Sequence, residues 1–243
     1  MSAAGRPTSD CSCYLVNAIS RGSVDSTRIN EETVVDLGTE WLDDSTQLLI
    51  AAFKDDPTVR YVCSAESNAF DQRRCLLYES LVGLQLESGE PRLGIISGQR
   101  LVAVCHLLRP GSKLPLGLQW RHAIRVLRGL GPGALIRGAR FTRAEAQCRP
   151  EDPHWYLVSI AVDPACQGRG YAGRLLQAIC ERSEADPACH GVALDTQNRR
   201  NVSLYERFGY RVTHEQDVGA IRSWCMFRPN RRWASSSGNA SAE

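Results

Sequence analysis

The clearest hydrophobic pattern in the chain runs from His154 to Tyr210 and alternates strand-like with helix-like segments. Its first nine residues are apolar and rich in β-branched and aromatic side chains, which is typical of a buried strand. Pro164 ends this run because proline cannot donate a hydrogen bond to a sheet. Apolar residues recur at helical spacing from Tyr171, and a second strand is predicted over residues 190–196. This order predicts a strand, a helix and a strand within one α/β unit.

The same patterns predict the remaining elements. A short helix is expected over residues 198–208, because Gly209 is a favourable helix stop. Ser97 to Arg100 is expected to form a hairpin turn. The other segments are a first strand near 32–36, helices over 43–53 and 71–86, and strands over 93–96, 101–108, 211–215 and 221–227.

Residues 109–150 have the least regular pattern. Arginines recur at helical spacing from a predicted helix start near Leu118, and this favours a solvated basic face. The apolar residues between them are expected to form the buried face: Trp120, Ile124, Leu127 and Leu130. Glycines and a proline over residues 129–133 predict a break in the helix.

Both ends of the chain are polar and poor in apolar residues, so residues 1–28 and 229–243 are predicted to be disordered around one domain over 29–228. The first segment has few acids and several serines and arginines, which would also suit an organelle transit peptide. We predict a cytoplasmic location and leave that alternative open.

Composition narrows the function classes. The chain has 243 residues and a formal net charge of +2, which argues neither for nor against nucleic-acid binding. No apolar run approaches the roughly 20 residues of a membrane span. The ten cysteines lack metal-ligand spacing, and several lie in apolar stretches. We therefore interpret them as reduced thiols and predict no metal site.

The turn between the first predicted strand and its helix carries candidate chemistry. It reads Gln167-Gly168-Arg169-Gly170-Tyr171-Ala172. A helix start presents unpaired N–H groups and the positive end of the helix dipole, and glycine lets a phosphate approach the backbone. The turn is neither a Rossmann nor a Walker sequence. By itself it indicates either an anion site or a tight connection.

Together with a later segment, this turn resembles the GCN5-related N-acetyltransferase (GNAT) superfamily. The family's acetyl-CoA loop, Gln/Arg-x-x-Gly-x-Gly/Ala, is matched by Gln167, Gly170 and Ala172. A second motif, Asn…Leu-Tyr-Glu-x-x-Gly-Phe, is matched by Asn198, Asn201, Leu204, Tyr205, Glu206, Gly209 and Tyr210, with tyrosine in place of the more usual phenylalanine. Within the superfamily the chain looks most like the puromycin-acetyltransferase-like group. The resemblance implies an α/β (α+β) GNAT fold with a mixed sheet of about six to seven strands flanked by helices.

The resemblance also implies residue roles. Acetyl-CoA would be the co-substrate, with its pyrophosphate on residues 167–172. The preceding strand would splay at a bulge, so that Ile160, Ala161 and Val162 bind the pantetheine arm. Tyr205 would be the general acid for the leaving thiolate, and Asn198 or Asn201 would contact the cofactor or only cap a helix.

The general base and the acceptor stay open at this level. Candidate bases on the strands are His154, Tyr156, Ser159 and Asp195. The Asp55-Asp56 turn is interpreted as solvated, although the resembling family has its acceptor site near such a turn.

The predicted function is acetyl transfer to a primary amine of a small molecule or peptide, by a monomer or homodimer without nucleic acid or membrane. The alternatives are an acyl-CoA sensor or partner-binding module on a degenerate GNAT fold, and a nucleic-acid-bound modifier.

Overall fold

A computed structural model describes residues 32–233, which form one sheet flanked by helices on both faces. Residues 1–31 and 234–243 lie outside it, and with them the predicted N-terminal segment. The strands are β1 (Val34–Asp36), β2 (Arg92–Ser97), β3 (Arg100–Leu108), β4 (His154–Val162), β5 (Gly191–Thr196), β6 (Arg211–Val218) and β7 (Ile221–Pro229). The helices are α1 (Leu42–Ala52), α2 (Pro57–Cys63), α3 (Phe70–Glu87), α4 (Leu116–Cys148), α5 (Tyr171–Ala185) and α6 (Arg199–Glu206).

The seven strands lie in the order β1-β2-β3-β4-β5-β7-β6, which confirms the predicted mixed sheet. Neighbours are antiparallel except β4 and β5, which run parallel and are joined through α5. Parallel neighbours need such a crossover connection, whereas β2 and β3 need only the predicted hairpin at Gly98. The parallel pair therefore stands at the centre of the sheet.

Two apolar clusters cover the two faces of the sheet. On one face, α5 packs Leu175, Leu176 and Ile179 against Val192 and Leu194 of β5. The other face is covered by α1 to α4. Alternation along β5 thus sends Asp195 to the face opposite α5.

Helix α4 corrects the predicted burial of its first half. The predicted break is present, since Gly131 has φ 82°. However, Trp120 is 69% exposed, and Ile124 and Leu127 are exposed as well, so only Leu130 of the predicted buried face is buried. The helix turns Leu118, Val126, Leu130 and Ala134 inward instead. The predicted stripe was wrong in its first half, and the packing of α4 against α3 buries a different set of apolar residues. Among residues 32–233, no helix is both long and apolar enough to span a membrane.

The cysteine prediction is also corrected. Cys148 at the end of α4 and Cys225 in β7 form a disulfide, with Cα atoms 5.5 Å apart and a sequence separation of 77. The other cysteines of the described residues are not in disulfide bonds. Sequence spacing alone gave no sign of the pair, because it forms only when α4 lies on the sheet.

The packed domain extends beyond the predicted boundary at residue 228. Asn230 is fully buried, and its side-chain amide donates hydrogen bonds to the carbonyls of Ser183 (2.7 Å) and Cys189 (2.8 Å). Trp233 stacks on His190, with ring centroids 3.7 Å apart. The first five residues of the predicted tail are therefore anchored to α5 and β5.

Candidate active site

The strand pair β4 and β5 opens into a cleft at its carboxyl ends. The two strands are paired only from His154 opposite Gly191 to Leu157 opposite Leu194. Strand β4 continues to Val162 along β3, and the register shift opposite His106 and Leu107 leaves Val158 as an extra, unpaired residue. Such a bulge bends a strand away from its neighbour. Residues 158–162 therefore have a free edge on the side of β5.

The direction of the amides along this edge follows from one hydrogen bond. The N–H of Asp163 donates to the carbonyl of Val102 in β3, at 2.9 Å. Successive amides of a strand point to opposite sides, so the N–H groups of Val162 and Ile160 point into the cleft. The N–H of Ala161 points toward β3. Two of the three predicted backbone donors thus face the cleft.

The glycine turn follows directly and is open to solvent. Gly168 and Gly170 have φ values of 79° and 82°, a region that favours glycine. A Cβ atom at either position would have no neighbour within 4 Å, so the space above the turn is free for a ligand. The helix begins at once, with the N–H of Arg174 donating to the carbonyl of Gly170 at 3.1 Å. The preceding amides, including those of Tyr171 and Ala172, have no partner inside the helix.

The side chains of this turn divide into two groups. Gln167 and Arg169 are exposed at its surface. Tyr171 is buried, and its hydroxyl donates to a carboxylate oxygen of Glu32 at 2.6 Å, which raises the pKa of the phenol. Its side chain is therefore structural, and only its backbone is placed to meet an anion.

Helix α6 carries the second motif. The Asn198 side chain accepts a hydrogen bond from the N–H of Arg200 at 3.1 Å, so Asn198 is the N-cap of this helix. Asn201 is half-buried in its first turn. The structure thus gives Asn198 a capping role, which was one of the two alternatives.

Tyr205 lies on the buried side of α6 and is only 5% exposed. Its ring meets that of Tyr210 edge-on, with centroids 5.9 Å apart. Burial raises the pKa of Tyr205, and the negative charges of Asp195 and Asp56 raise it further. The phenol therefore stays protonated at neutral pH and is a proton donor rather than a base.

Near the cleft, the side chain of Asp195 is held in place by three side-chain hydrogen bonds. It accepts hydrogen bonds from the Tyr156 hydroxyl, from Gln197 (2.6 Å) and from Ser223 (3.4 Å). Gln197 in turn accepts from Thr58 of α2 at 2.8 Å. Burial raises the pKa of Asp195, although these donors and the charge of Arg149 oppose the effect.

Two further carboxyl groups belong to this region and were not predicted as functional. Asp56 caps α2 by accepting from the N–H groups of Thr58 (2.9 Å) and Val59 (3.1 Å), and burial raises its pKa. Asp56 was interpreted as part of a solvated turn because Pro57 was expected to end the preceding helix. In the structure Pro57 instead begins α2. Glu145 lies near the end of α4, half-buried, with its pKa raised to about 8 by burial and by the charge of Asp195. Its only signal in the sequence was being a single acid among arginines.

Two other candidate bases, His154 and Ser159, lie at different positions along β4. His154 is at the paired, amino-terminal end of β4, where its Nδ1 is 2.7 Å from the Asp152 carbonyl oxygen. It is thus separated from the cleft by the whole paired segment. Ser159 lies beside the bulge, opposite His106.

Comparison with known proteins places this arrangement in a class. A profile described as the acetyltransferase (GNAT) family matches residues 120–210. An uncharacterised N-acetyltransferase of Schizosaccharomyces pombe is 27% identical over 191 residues, covering 72% of this chain and 71% of that protein. A Corynebacterium glutamicum structure named histone acetyltransferase HPA2 and related acetyltransferase covers 82% of this chain and 96% of its own, at 20% identity and a TM-score of 0.63.

Two further solved structures have the same fold. Arylalkylamine N-acetyltransferase 2 of Aedes aegypti is 13% identical, covers 81% of this chain and 97% of its own, and has a TM-score of 0.57. The polyamine N-acetyltransferase of Drosophila melanogaster is 17% identical, covers 80% and 97%, and has a TM-score of 0.53. The fold, with its splayed parallel pair followed by a glycine turn, is the one these solved structures share. Residues 120–210 thus match the GNAT family, and a relative similar to the chain over most of its length is named as an N-acetyltransferase. The likeness of the chain to the puromycin-acetyltransferase-like group stays a prediction.

Proposed function

We propose that this protein transfers an acetyl group from acetyl-CoA to a primary amine of a small molecule or peptide. The observation that carries the proposal is the continuity of the open edge of β4 with the open glycine turn. Together they offer backbone donors along one path, from Ile160 through Val162 to the first turn of α5.

The donor would lie along this path. A pyrophosphate is an anion with several acceptor oxygens, and the unpaired amides at the start of α5 match it in charge and hydrogen bonding. Arg169 adds a positive charge at the surface. The inward amides of Ile160 and Val162 would hold the pantetheine arm and polarise the thioester carbonyl.

Tyr205 would then protonate the leaving thiolate. Its raised pKa keeps the proton in place at neutral pH, and its hydroxyl has no hydrogen-bond partner among residues 32–233 that would compete for that proton. If Tyr205 were only a core residue of an amphipathic helix, its hydroxyl would have no kinetic role, so the two roles are separable by experiment.

The acceptor would approach from the side of the carboxyl groups. Asp56, Glu145 and Asp195 come from three different elements, and the charges of Asp56 and Asp195 favour a cationic amine. The Drosophila and Aedes relatives are named for polyamine and arylalkylamine substrates, in agreement with an amine acceptor of this chain.

The test is an acceptor screen with purified protein and acetyl-CoA. The panel contains cadaverine, tyramine, puromycin and a short peptide with a free amino terminus. Free coenzyme A measures turnover, mass spectrometry of the amine identifies the product, and reactions without amine give the background. Tight acetyl-CoA binding without turnover on any amine would instead support the sensor alternative.

A further inference from the structure

The end of α4 lies directly over the carboxyl end of β5. Asp195 of β5 is the register partner of Cys225 in β7, and Cys225 is bonded to Cys148 of α4. The side-chain amide of Gln216 also donates to the carbonyl of Ala144, at 2.9 Å. Glu145 is the next residue after Ala144 and lies one helical turn before Cys148. These contacts bring Glu145 to Asp195 from 50 positions away in the sequence.

The two carboxyl groups have unequal surroundings. Asp195 accepts hydrogen bonds from Tyr156, Gln197 and Ser223, which favour its charged form and fix its orientation. No hydrogen bond or ion pair joins Glu145 to another residue of the segment 32–233. Two neighbouring carboxyl groups in a poorly hydrated site cannot both ionise freely, so the one without donors retains the proton more strongly. That carboxyl is Glu145.

The charged and titratable groups around this pair come from each neighbouring element. Arg149, on the same helix as Glu145, lies over the ring of Tyr156 with its guanidinium carbon 3.9 Å from the ring centroid. It favours the charged forms of both carboxyls, while Asp195 opposes ionisation of Glu145. Asp56 at the start of α2 and Tyr205 of α6 are the other titratable groups around the two carboxyls. The balance raises the pKa of Glu145 to about 8.

A second observation indicates that this is a ligand site and not only a group of acids. The Tyr205 hydroxyl lies within the electrostatic reach of both Asp195 and Asp56, although its side chain is 5% exposed. It has no hydrogen-bond partner among residues 32–233. Within residues 32–233 the Tyr205 hydroxyl is not among the fully buried polar atoms that lack a partner, so it borders accessible space, where a polar ligand would supply its hydrogen bond. The space between the carboxyls and Tyr205 therefore suits a polar reactant.

We propose that Glu145 is the general base that deprotonates the acceptor and that Asp195 is the fixed charge that attracts the acceptor as its ammonium ion. The assignment rests on the proposed acetyl-transfer function. The proposed base therefore lies on α4, which crosses the acceptor side, and not on the central strand β4.

The proton and electron balance is complete without a further reactant. The ammonium gives one proton to Glu145, and the freed nitrogen lone pair forms the C–N bond with the thioester carbon. The C–S bond breaks, sulfur keeps its electron pair, and Tyr205 protonates it. The phenolate then takes the remaining excess proton from the amide nitrogen, while Glu145 releases its proton to solvent. The products are an amide, coenzyme A and one proton.

The experiment is a pH profile of kcat/KM, measured with the best acceptor of the panel above. Glu145 acts only as carboxylate, so the wild-type profile is expected to rise with pH and to bend near pH 8. Glu145→Gln is expected to lose roughly 100-fold in kcat at pH 7. Its profile should have no bend at that pH and should climb toward the pKa of the free amine, about 10 for an alkyl ammonium.

Matched variants separate catalysis from structure. Glu151→Gln changes an exposed glutamate six residues further along and should leave the profile unchanged. Glu145→Asp keeps a carboxyl and should retain the bend at a lower rate. Each variant is checked for an unchanged melting temperature and acetyl-CoA affinity.

The outcomes of the two proposals are distinguishable. A wild-type enzyme that acetylates an amine while Glu145→Gln keeps both its rate and its bend near pH 8 overturns the base assignment alone. Failure of the wild type to bind acetyl-CoA or to acetylate any amine refutes the proposed function, and this assignment with it.

Discussion

Replacing Tyr205 by phenylalanine isolates the proposed acid from the packing of the core. The ring stays, so the edge-on contact with Tyr210 and the 95% burial of the side chain are kept. Only the hydroxyl is lost, and no residue of the segment 32–233 depends on it for a hydrogen bond. Folding stability is therefore expected to change by less than about 1 kcal/mol.

The kinetic effect should be much larger. General acid catalysis is typically worth about 100- to 10,000-fold, which corresponds to about 2.7 to 5.5 kcal/mol of barrier height. The loss should fall on kcat with acetyl-CoA affinity unchanged, because the hydroxyl acts on the leaving sulfur and not on the bound donor. Since burial raises the pKa of Tyr205, wild-type activity should not decline with pH until well above the usual phenol value near 10.

The assay compares steady-state kinetics, acetyl-CoA calorimetry and thermal melts for Tyr205→Phe and for Tyr210→Phe. Tyr210 is an equally buried tyrosine of the same cluster outside the proposed chemistry, so its variant should keep full turnover. Full turnover in Tyr205→Phe would refute the acid role and transfer the protonation step to water or another group. A loss of stability without a loss of kcat would favour the purely structural role.

Three other variants test the donor site, the disulfide and the domain boundary. Gly170→Asp should weaken acetyl-CoA binding at least tenfold, about 1.4 kcal/mol, because its carboxylate enters the space proposed for the pyrophosphate. The control is Gly98→Asp, at another open glycine with positive φ, which should bind acetyl-CoA normally in the same calorimetry. Cys148→Ser, or reductant, should destabilise the protein by about 4.5 kcal/mol in the chain-entropy model for a 77-residue loop, and a reductant-insensitive wild-type melting temperature would show that the bond is absent. Asn230→Ala leaves the buried carbonyls of Ser183 and Cys189 without their donor and should cost roughly 3 kcal/mol in urea unfolding, whereas a neutral effect would place the boundary before residue 229.

The sequence by itself determined the elements that depend on local patterns. An unbroken apolar run makes β4, glycines with positive φ make the turn, and helical spacing makes α5. Because strand, turn and helix are contiguous, the shape of the proposed donor site follows from about 20 consecutive residues. Tyr205 could be proposed as the acid for a similar reason, since its helix carries its own motif a short distance further on.

Tertiary structure alone decided which side of α4 is buried and which carboxyl groups meet. Trp120, Ile124 and Leu127 have the spacing of a core stripe, but Leu118 and Val126 are buried instead, and Val126 packs in one cluster with residues of α3. The spacing of apolar residues shows that a helix has an apolar face, but it does not show which neighbouring element will cover that face.

No local sequence pattern indicates the proposed acceptor side. Asp56 caps the start of α2, Glu145 lies near the end of α4 and Asp195 lies near the end of β5, and each is an ordinary polar residue in its own segment. Their pKa values rise only because the sheet, α2 and α4 remove water from around them together. Burial and the field of a distant charge are properties of the assembled fold, so the proposed base became visible only when the helix was placed over the sheet.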